Sequence, residues 1–157
     1  MKTEDAIYLA GFIDGEGCIG INKIHRTLDS ACRPGYFAYE LALTVGNTDE
    51  SIIYWIQEVV GKGHILSSQR KANCKECFTW TVNSRQALST LEELVPYLKV
   101  KRKVAELCIE FQRLKQEQNR ERMRGSRKDG YKVTSDEALQ RREWFYQQAK
   151  GFNRRGP

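Results

Sequence analysis

The chain has 157 residues, a formal net charge of +6 and 40% hydrophobic residues, which suits one domain with a real core. No apolar run approaches the roughly eighteen residues of a membrane helix, and no signal peptide opens the sequence. Charge is unevenly spread: residues 1–98 hold nine Lys/Arg against twelve Asp/Glu, residues 99–157 seventeen against eight, so the C-terminal part is the one suited to a polyanion.

In chain order, Thr3 is a candidate N-cap, with Glu4 and Asp5 in the first turn where the helix dipole favours acids. Ile7, Leu9, Ala10, Phe12 and Ile13 leave little polar face, so this short helix is expected to be buried on both sides. From Cys18 to Arg26, Ile19 and Ile21 face one way and Gly20, Asn22, Ile24 and Arg26 the other, the alternation of a half-buried strand. Leu28 to Gly35 reads as a polar turn. Tyr36 to Asn47 is the clearest strand, with Phe37, Tyr39, Leu41, Leu43 and Val45 on one face and Ala38, Glu40, Ala42, Thr44 and Gly46 on the other. Asn47 or Thr48 would cap a helix carrying Ile52, Ile53, Trp55, Ile56, Val59 and Val60 until Gly61 and Gly63 stop it. His64 to Ser68 and Cys77 to Asn83 form a second hairpin, with Arg70 and Lys71 at its tip. Ser84 is expected to cap the next helix, which ends near Pro96. A further helix opens at Lys99–Lys103 and turns Val104, Leu107, Cys108, Phe111 and Leu114 inward. Asn119 to Lys132 reads as a mobile loop, and Thr134 or Ser135 caps a last helix followed by a basic tail.

Cys18, Cys32, Cys74, Cys77 and Cys108 are odd in number and lack a disulfide-framework spacing, so an intracellular, reducing compartment is expected, either an organelle matrix or a bacterial or archaeal cytoplasm. Cys74 and Cys77 form a lone CxxC. His25 and His64 complete no zinc spacing with it, and a hairpin turn is the better reading.

The stretch Leu9-Ala10-Gly11-Phe12-Ile13-Asp14-Gly15-Glu16-Gly17 carries the chemistry. Gly11 and Gly15 share one helix face and permit close approach of another backbone. Asp14 and Glu16 sit at the helix C-terminus, where the dipole disfavours carboxylates by a few tenths of a kcal/mol to about 1 each. A divalent cation would reverse that penalty, so the helix end reads as a metal site. The predicted sheet would keep one face open, bearing Asn22, Arg26, Glu40, Thr44, Thr79 and Thr81, with Arg70 and Lys71 beyond. Side chains two apart along a strand can meet successive base edges in a wide groove. Arg26 would suit guanine, Asn22 adenine, and Glu40 a cytosine amino group.

This nine-residue stretch closely resembles the LAGLIDADG motif of the homing endonucleases, with Phe12 fourth, Gly15 seventh and Glu16 eighth. The element order α-β-β-α-β-β-α is also that family's core, so the resemblance covers roughly residues 4–118. It implies an α+β fold with a four-stranded antiparallel DNA-binding sheet, here followed by extra C-terminal helices. Residues 1–118 would be the endonuclease core, and 119–157 a basic loop, helix and tail packed on or extending the same domain. One motif copy implies a homodimer with motif helices side by side through Ala10, Gly11, Asp14 and Gly15. Glu16 of each copy, with the adjacent Gly15 backbone, would hold Mg²⁺ (or Mn²⁺), although Asp is more usual than Glu there. Asp14 is better suited to structural hydrogen bonding than to ligating metal. Asp49 matches the polar residue that orients water after the second strand, where many members have Gln. Lys101 matches the lysine near the reacting phosphate, within Pro96-Tyr97-Leu98-Lys99-Val100-Lys101, and Lys99 and Lys103 would touch backbone phosphates. The implied activity is metal-dependent hydrolysis of both strands of double-stranded DNA at a long pseudo-palindromic site, leaving 3′ overhangs. The alternative is an intron-RNA maturase, or a DNA-binding regulator that does not cleave, on the same fold.

Overall fold

A computed structural model describes residues 1–26, 36–69, 75–129 and 134–153. The expected turn from Leu28 to Gly35 and the tip residues Arg70, Lys71 and Cys74 lie outside the described residues. The elements run α1 (Thr3–Glu16), β1 (Gly17–Arg26), β2 (Tyr36–Asn47), α2 (Glu50–Val60), β3 (His64–Ser68), β4 (Cys77–Asn83), α3 (Ser84–Leu94), α4 (Arg102–Asp129) and α5 (Asp136–Asn153). The strands form one antiparallel sheet in the order β1-β2-β4-β3.

Period-two alternation sends Ile19, Ile21, Tyr39, Leu41, Leu43, Val45, Trp80 and Val82 to one face, where all are buried. Helical side chains close over them: Leu9 and Ile13 from α1, Ile53 and Ile56 from α2, Leu91 and Leu94 from α3, Phe111 from α4 and Phe145 from α5. All the helices therefore stack on one side and leave the other sheet face uncovered. No loop separates α1 from β1. Gly17 makes that possible, because a Cβ there would stand 2.9 Å from the Ile13 backbone. Gly63, at φ +105, turns the chain into β3 so closely that a Cβ would meet Trp80 Nε1 at 2.6 Å. That indole N–H donates to the Lys62 carbonyl at 3.1 Å, so the buried Trp80 has its polar atom satisfied.

Helix starts depart from the sequence expectation in three places. Thr3 is already helical, and Lys2 precedes it without a side-chain cap. Asp49, rather than Asn47 or Thr48, caps α2 by accepting from the Ser51 N–H. Ser84 does not cap α3; it is the first helical residue, at φ +51, and its hydroxyl donates to Glu40 at 2.8 Å. The cap of α5 is Ser135, whose hydroxyl accepts from the Ala138 N–H.

The expected loop from Asn119 is instead helix as far as Asp129. Its Gln, Glu, Arg and Met residues are good helix formers, and the turn packed through Val104, Cys108 and Phe111 has already overcome the cost of nucleation. Burial pushes the Cys108 thiol up to about 12, which leaves it unreactive.

Residues 136–153 lie along β1. Lys23 Nζ pairs with Glu143 at 2.7 Å, the Tyr39 hydroxyl donates to the same carboxylate, and Asn153 Nδ2 donates to the Ile19 carbonyl at 2.8 Å. The bonds from Lys23, Tyr39 and Gln147 hold Glu143 at about 2. A carboxylate depressed in the folded state stabilises the fold above its unfolded value, and that contribution is lost as pH falls from about 4.5 toward 2. Because the Glu143 side chain is about one-third exposed, solvent screening reduces the effect to about 1 kcal/mol. Glu143→Gln should therefore lower stability by about that amount at pH 7, measured by urea unfolding. Its deficit relative to the parent should shrink as pH is taken below 4.5.

Candidate active site

The last turn of α1 is fixed by two interactions of opposite polarity. The Asp14 carboxylate accepts three consecutive backbone N–H groups, from Lys99 at 2.7 Å, Val100 at 3.1 Å and Lys101 at 2.8 Å. In return the Lys101 ammonium donates to the carbonyls of Ile13, at 2.9 Å, and Asp14. Burial alone would raise the Asp14 pKa. The N–H groups of Lys101, Lys99 and Val100, with the Lys101 charge, outweigh it and hold the carboxyl below its ordinary value. Asp14 is thus the structural hydrogen-bonding residue that the sequence suggested.

Glu16 follows two residues beyond Asp14 and is exposed. It belongs to none of the described ion pairs. Among the described residues no three His, Cys, Asp or Glu side chains group as a metal site. A single protomer therefore offers the Glu16 carboxylate and the backbone oxygens of the helix end. These are hard oxygen donors that fit Mg²⁺, but too few to hold it without phosphates or a second copy. The cationic Lys101 already offsets part of the dipole penalty that pointed to a cation in the sequence.

Asp49 stands at the same end of the sheet, because Gly17 pairs with Val45 and β2 ends two residues later at Asn47. Its Oδ1 accepts the Ser51 N–H and hydroxyl at 2.9 and 2.6 Å, bonds that lower its pKa. Its own N–H donates to Asn47 Oδ1 at 2.9 Å.

The register brings the expected reading residues together on the uncovered sheet face. Cys18, Thr44, Thr81 and His64 form one row across all four strands. Asn22 pairs with Glu40, and Gly46, Thr79 and Leu66 form another row. Arg26 is exposed at the far end of β1. Asn83, His64, Leu66 and Ser68 share this face but were missed in the sequence. The short β3 shows no alternation, and only pairing with β4 reveals which way its residues point. Lys99 and Lys103 are exposed on either side of Lys101.

The expected helix-pairing residues divide. Gly11 and Gly15 are exposed, and an added Cβ at either would meet nothing within 4 Å. Ala10 is fully buried against its own core and cannot touch a partner: it lies a quarter-turn from Gly11 on the inward face with Leu9 and Ile13. The Asp14 carboxylate is committed to residues 99–101. The exposed strip instead includes Ile7 and Tyr8, at 53% and 56% exposure, and reaches Trp55 of α2 through an edge-on ring contact at 5.2 Å. The expectation of burial on both sides is therefore met on one side only within a single chain.

Asp14→Asn should cost about 2–3 kcal/mol, since an amide cannot accept three N–H groups and loses the charge that strengthens each bond. Chemical denaturation at neutral pH would measure it.

A family model described as LAGLIDADG endonuclease matches residues 9–118. DNA endonuclease I-CvuI of Chlorella vulgaris is 32% identical over 106 residues, which span 66% of this chain and 61% of that protein. The chain thus covers less than two-thirds of that relative's length. Homing endonuclease I-CvuI in complex with its target superposes with a TM-score of 0.72 at 23% identity, covering 98% of this chain and 84% of that one. The archaeal intron-encoded homing endonuclease I-Vdi141I, complexed with DNA, gives 0.71 at 14% identity, covering 98% and 87%. I-SmaMI bound to cleaved DNA gives 0.62 at 15% identity, covering 96% of this chain and 45% of that one. With its glycine-faced first helix, clamped carboxylate turn and open sheet inside the matched span, the chain belongs to the LAGLIDADG endonuclease family.

Proposed function

We propose that two copies of this chain pair through α1 and cut both strands of a DNA duplex lying on their joined open sheets. The observation that carries this reading is the placement of Glu16. It is exposed at the end of the same helix whose outer strip, Ile7, Tyr8, Gly11 and Gly15, is apolar or bare and stays exposed among the described residues, although one edge of Tyr8 meets Trp55. An apolar strip of that kind on a helix calls for cover, and cover by a second α1 brings two Glu16 carboxylates to the two-fold axis. Like charges that close require cations between them. The relative lengths support pairing too, since one unit matches 84% of the I-CvuI chain but 45% of the I-SmaMI chain.

Glu16 of each copy, with the Gly15 carbonyl, would hold Mg²⁺ or Mn²⁺ against the scissile phosphates. Such an ion supplies Lewis-acid stabilisation of the phosphoryl oxygens and a more acidic water. Lys101, with two ammonium donors on the α1 carbonyls, keeps a third for a phosphate oxygen on which charge develops. Asp49 uses Oδ1 for its cap and offers Oδ2 to orient the attacking water. Asn22, Arg26, Glu40, Thr44, Thr79 and Thr81 would read base edges, and Lys99 and Lys103 would hold the backbone. A two-fold face implies a pseudo-palindromic site. Residues 1–118 would carry this machinery, and α5 (Asp136–Asn153) would brace it along β1.

The test uses duplex DNA in which the gene's insertion site is restored to its uninterrupted form. With Mg²⁺ the protein should cut both strands and leave 3′ overhangs; chelator should stop it. Glu16→Gln should lower cleavage at least about 10³-fold while DNA binding persists. Gly11→Leu should yield monomers by sedimentation and lose cleavage with the fold intact. Cleavage by a monomer would overturn the reading, and retained RNA binding without DNA cleavage would favour the maturase alternative.

A further inference from the structure

A cavity of about 350 Å³ lies between the start of α3 and the middle of α4, and Glu16 is not part of its lining. Its lining includes Ser84, Arg85, Gln86, Gln112, Lys115 and Asn119, and no acidic residue contributes. Four features of this cavity are unusual.

The first turn of α3 receives no side-chain cap, so N–H groups at Ser84, Arg85 and Gln86 lack the partner a capping residue would give, at the positive end of the helix dipole. Ser84 holds φ +51, a left-handed conformation uncommon outside glycine. Gln112 is buried to 3% exposure, and its Oε1 has no hydrogen-bond partner among the described residues. A buried polar atom left unmet is costly, and a donor, whether an ordered water or one brought by a bound group, would satisfy it. Lys115 is half-buried and donates to the Tyr39 carbonyl at 2.6 Å, which the early end of β4 leaves free. Burial depresses its pKa, Glu40 opposes that, and the like charges of Arg142 and Arg26 add to it. An anion beside Lys115 would favour its charged form, as Glu40 already does, against burial and the two like charges.

The cavity sits at the flank of the open sheet. Asn83, which precedes it, pairs with Ala42 on that face, and the Ser84 hydroxyl is bonded to Glu40. We propose that this cavity seats a phosphate of the DNA backbone outside the scissile position. Arg85 and Lys115 would hold its oxygens, the α3 N–H groups would add donors, and a water carried by the phosphate would donate to Gln112 Oε1. The site contributes affinity and register on the duplex and carries no base preference. It rests on the DNA reading above, yet neither the paired glutamates nor the base-reading rows require it.

The test measures binding of a mixed-sequence DNA duplex against salt concentration, without divalent metal. Arg85 is exposed, so Arg85→Ala should keep the melting temperature. It should lower the slope of log affinity against log salt by about one, as for one lost phosphate contact. Gln112→Met replaces the unmet amide by an apolar chain of similar length. It should hold or raise the melting temperature of the free protein while weakening DNA binding roughly fivefold at low salt. Arg85→Ala with the parent's slope, or Gln112→Met that gains stability without losing affinity, overturns the proposal and leaves a cavity holding only water. If the parent protein fails to bind the duplex at all, the DNA reading fails, and this one with it.

Discussion

The exchange between Asp14 and Lys101 is the constraint on which the rest of the site depends. An acidic side chain takes three N–H groups at the approach to α4, and a basic side chain takes two carbonyls at the end of α1. Each satisfies backbone groups that a helix end or an irregular segment would otherwise leave unmet. The two segments are more than eighty residues apart in sequence, so the clamp closes a long loop that the core beneath has already brought together. Its functional consequence is positional. Glu16 and Lys101 are held relative to each other by five hydrogen bonds rather than by direct contact, and Glu16 keeps its carboxylate open.

That arrangement separates two duties that one motif might have merged. Of the two carboxylates in the glycine turn, the one that accepts three backbone N–H groups is the structural one, Asp14. Glu16 lies two residues further on, past the clamp and immediately before the strand, with its side chain in solvent. Gly17 then forces the direction of β1, because the strand must leave the helix within contact distance of Ile13. The helix end, the acidic residue and β1 are therefore one rigid unit. A shift of α1 against a partner copy would move Glu16 and the row beginning at Cys18 together.

The architecture was legible in the sequence wherever periodicity was long. Twelve residues of β2 alternate almost without fault, and the motif helix declares itself by its glycines and terminal acids. Legibility failed where neighbours compete for one role. Asn47, Thr48 and Asp49 are all good caps, and local sequence does not choose among them; the strand end fixes Asn47 in pairing with Phe78, leaving Asp49 as the residue in position. Ser84 was misread because a tertiary partner, Glu40, takes the hydroxyl that a cap would have used. Ala10 was misplaced because a nine-residue motif shows which residues are small but not which point inward. The α4 extension escaped because a polar, Arg-rich run looks the same whether solvated as a loop or wound as a helix anchored by its first turns.

The electrostatics of the helix end then argue for pairing more strongly than the sequence alone could. Within one chain, Lys101 sits on the α1 carbonyls and partly neutralises the negative pole, so a lone Glu16 there is tolerable without metal. Two such ends at a two-fold axis bring two exposed carboxylates together, while each lysine remains tied to its own helix. Coulomb repulsion between unit charges about 4 Å apart is about 1 kcal/mol in bulk water and rises about fourfold at the effective dielectric of a protein surface. The demand for a cation is thus weak in the single chain and would appear only in the proposed pairing of α1 with a second α1. In the proposed dimer, the apolar strip that would drive association and the charge that would invite metal belong to the same helix, so assembly and activation would be a single event.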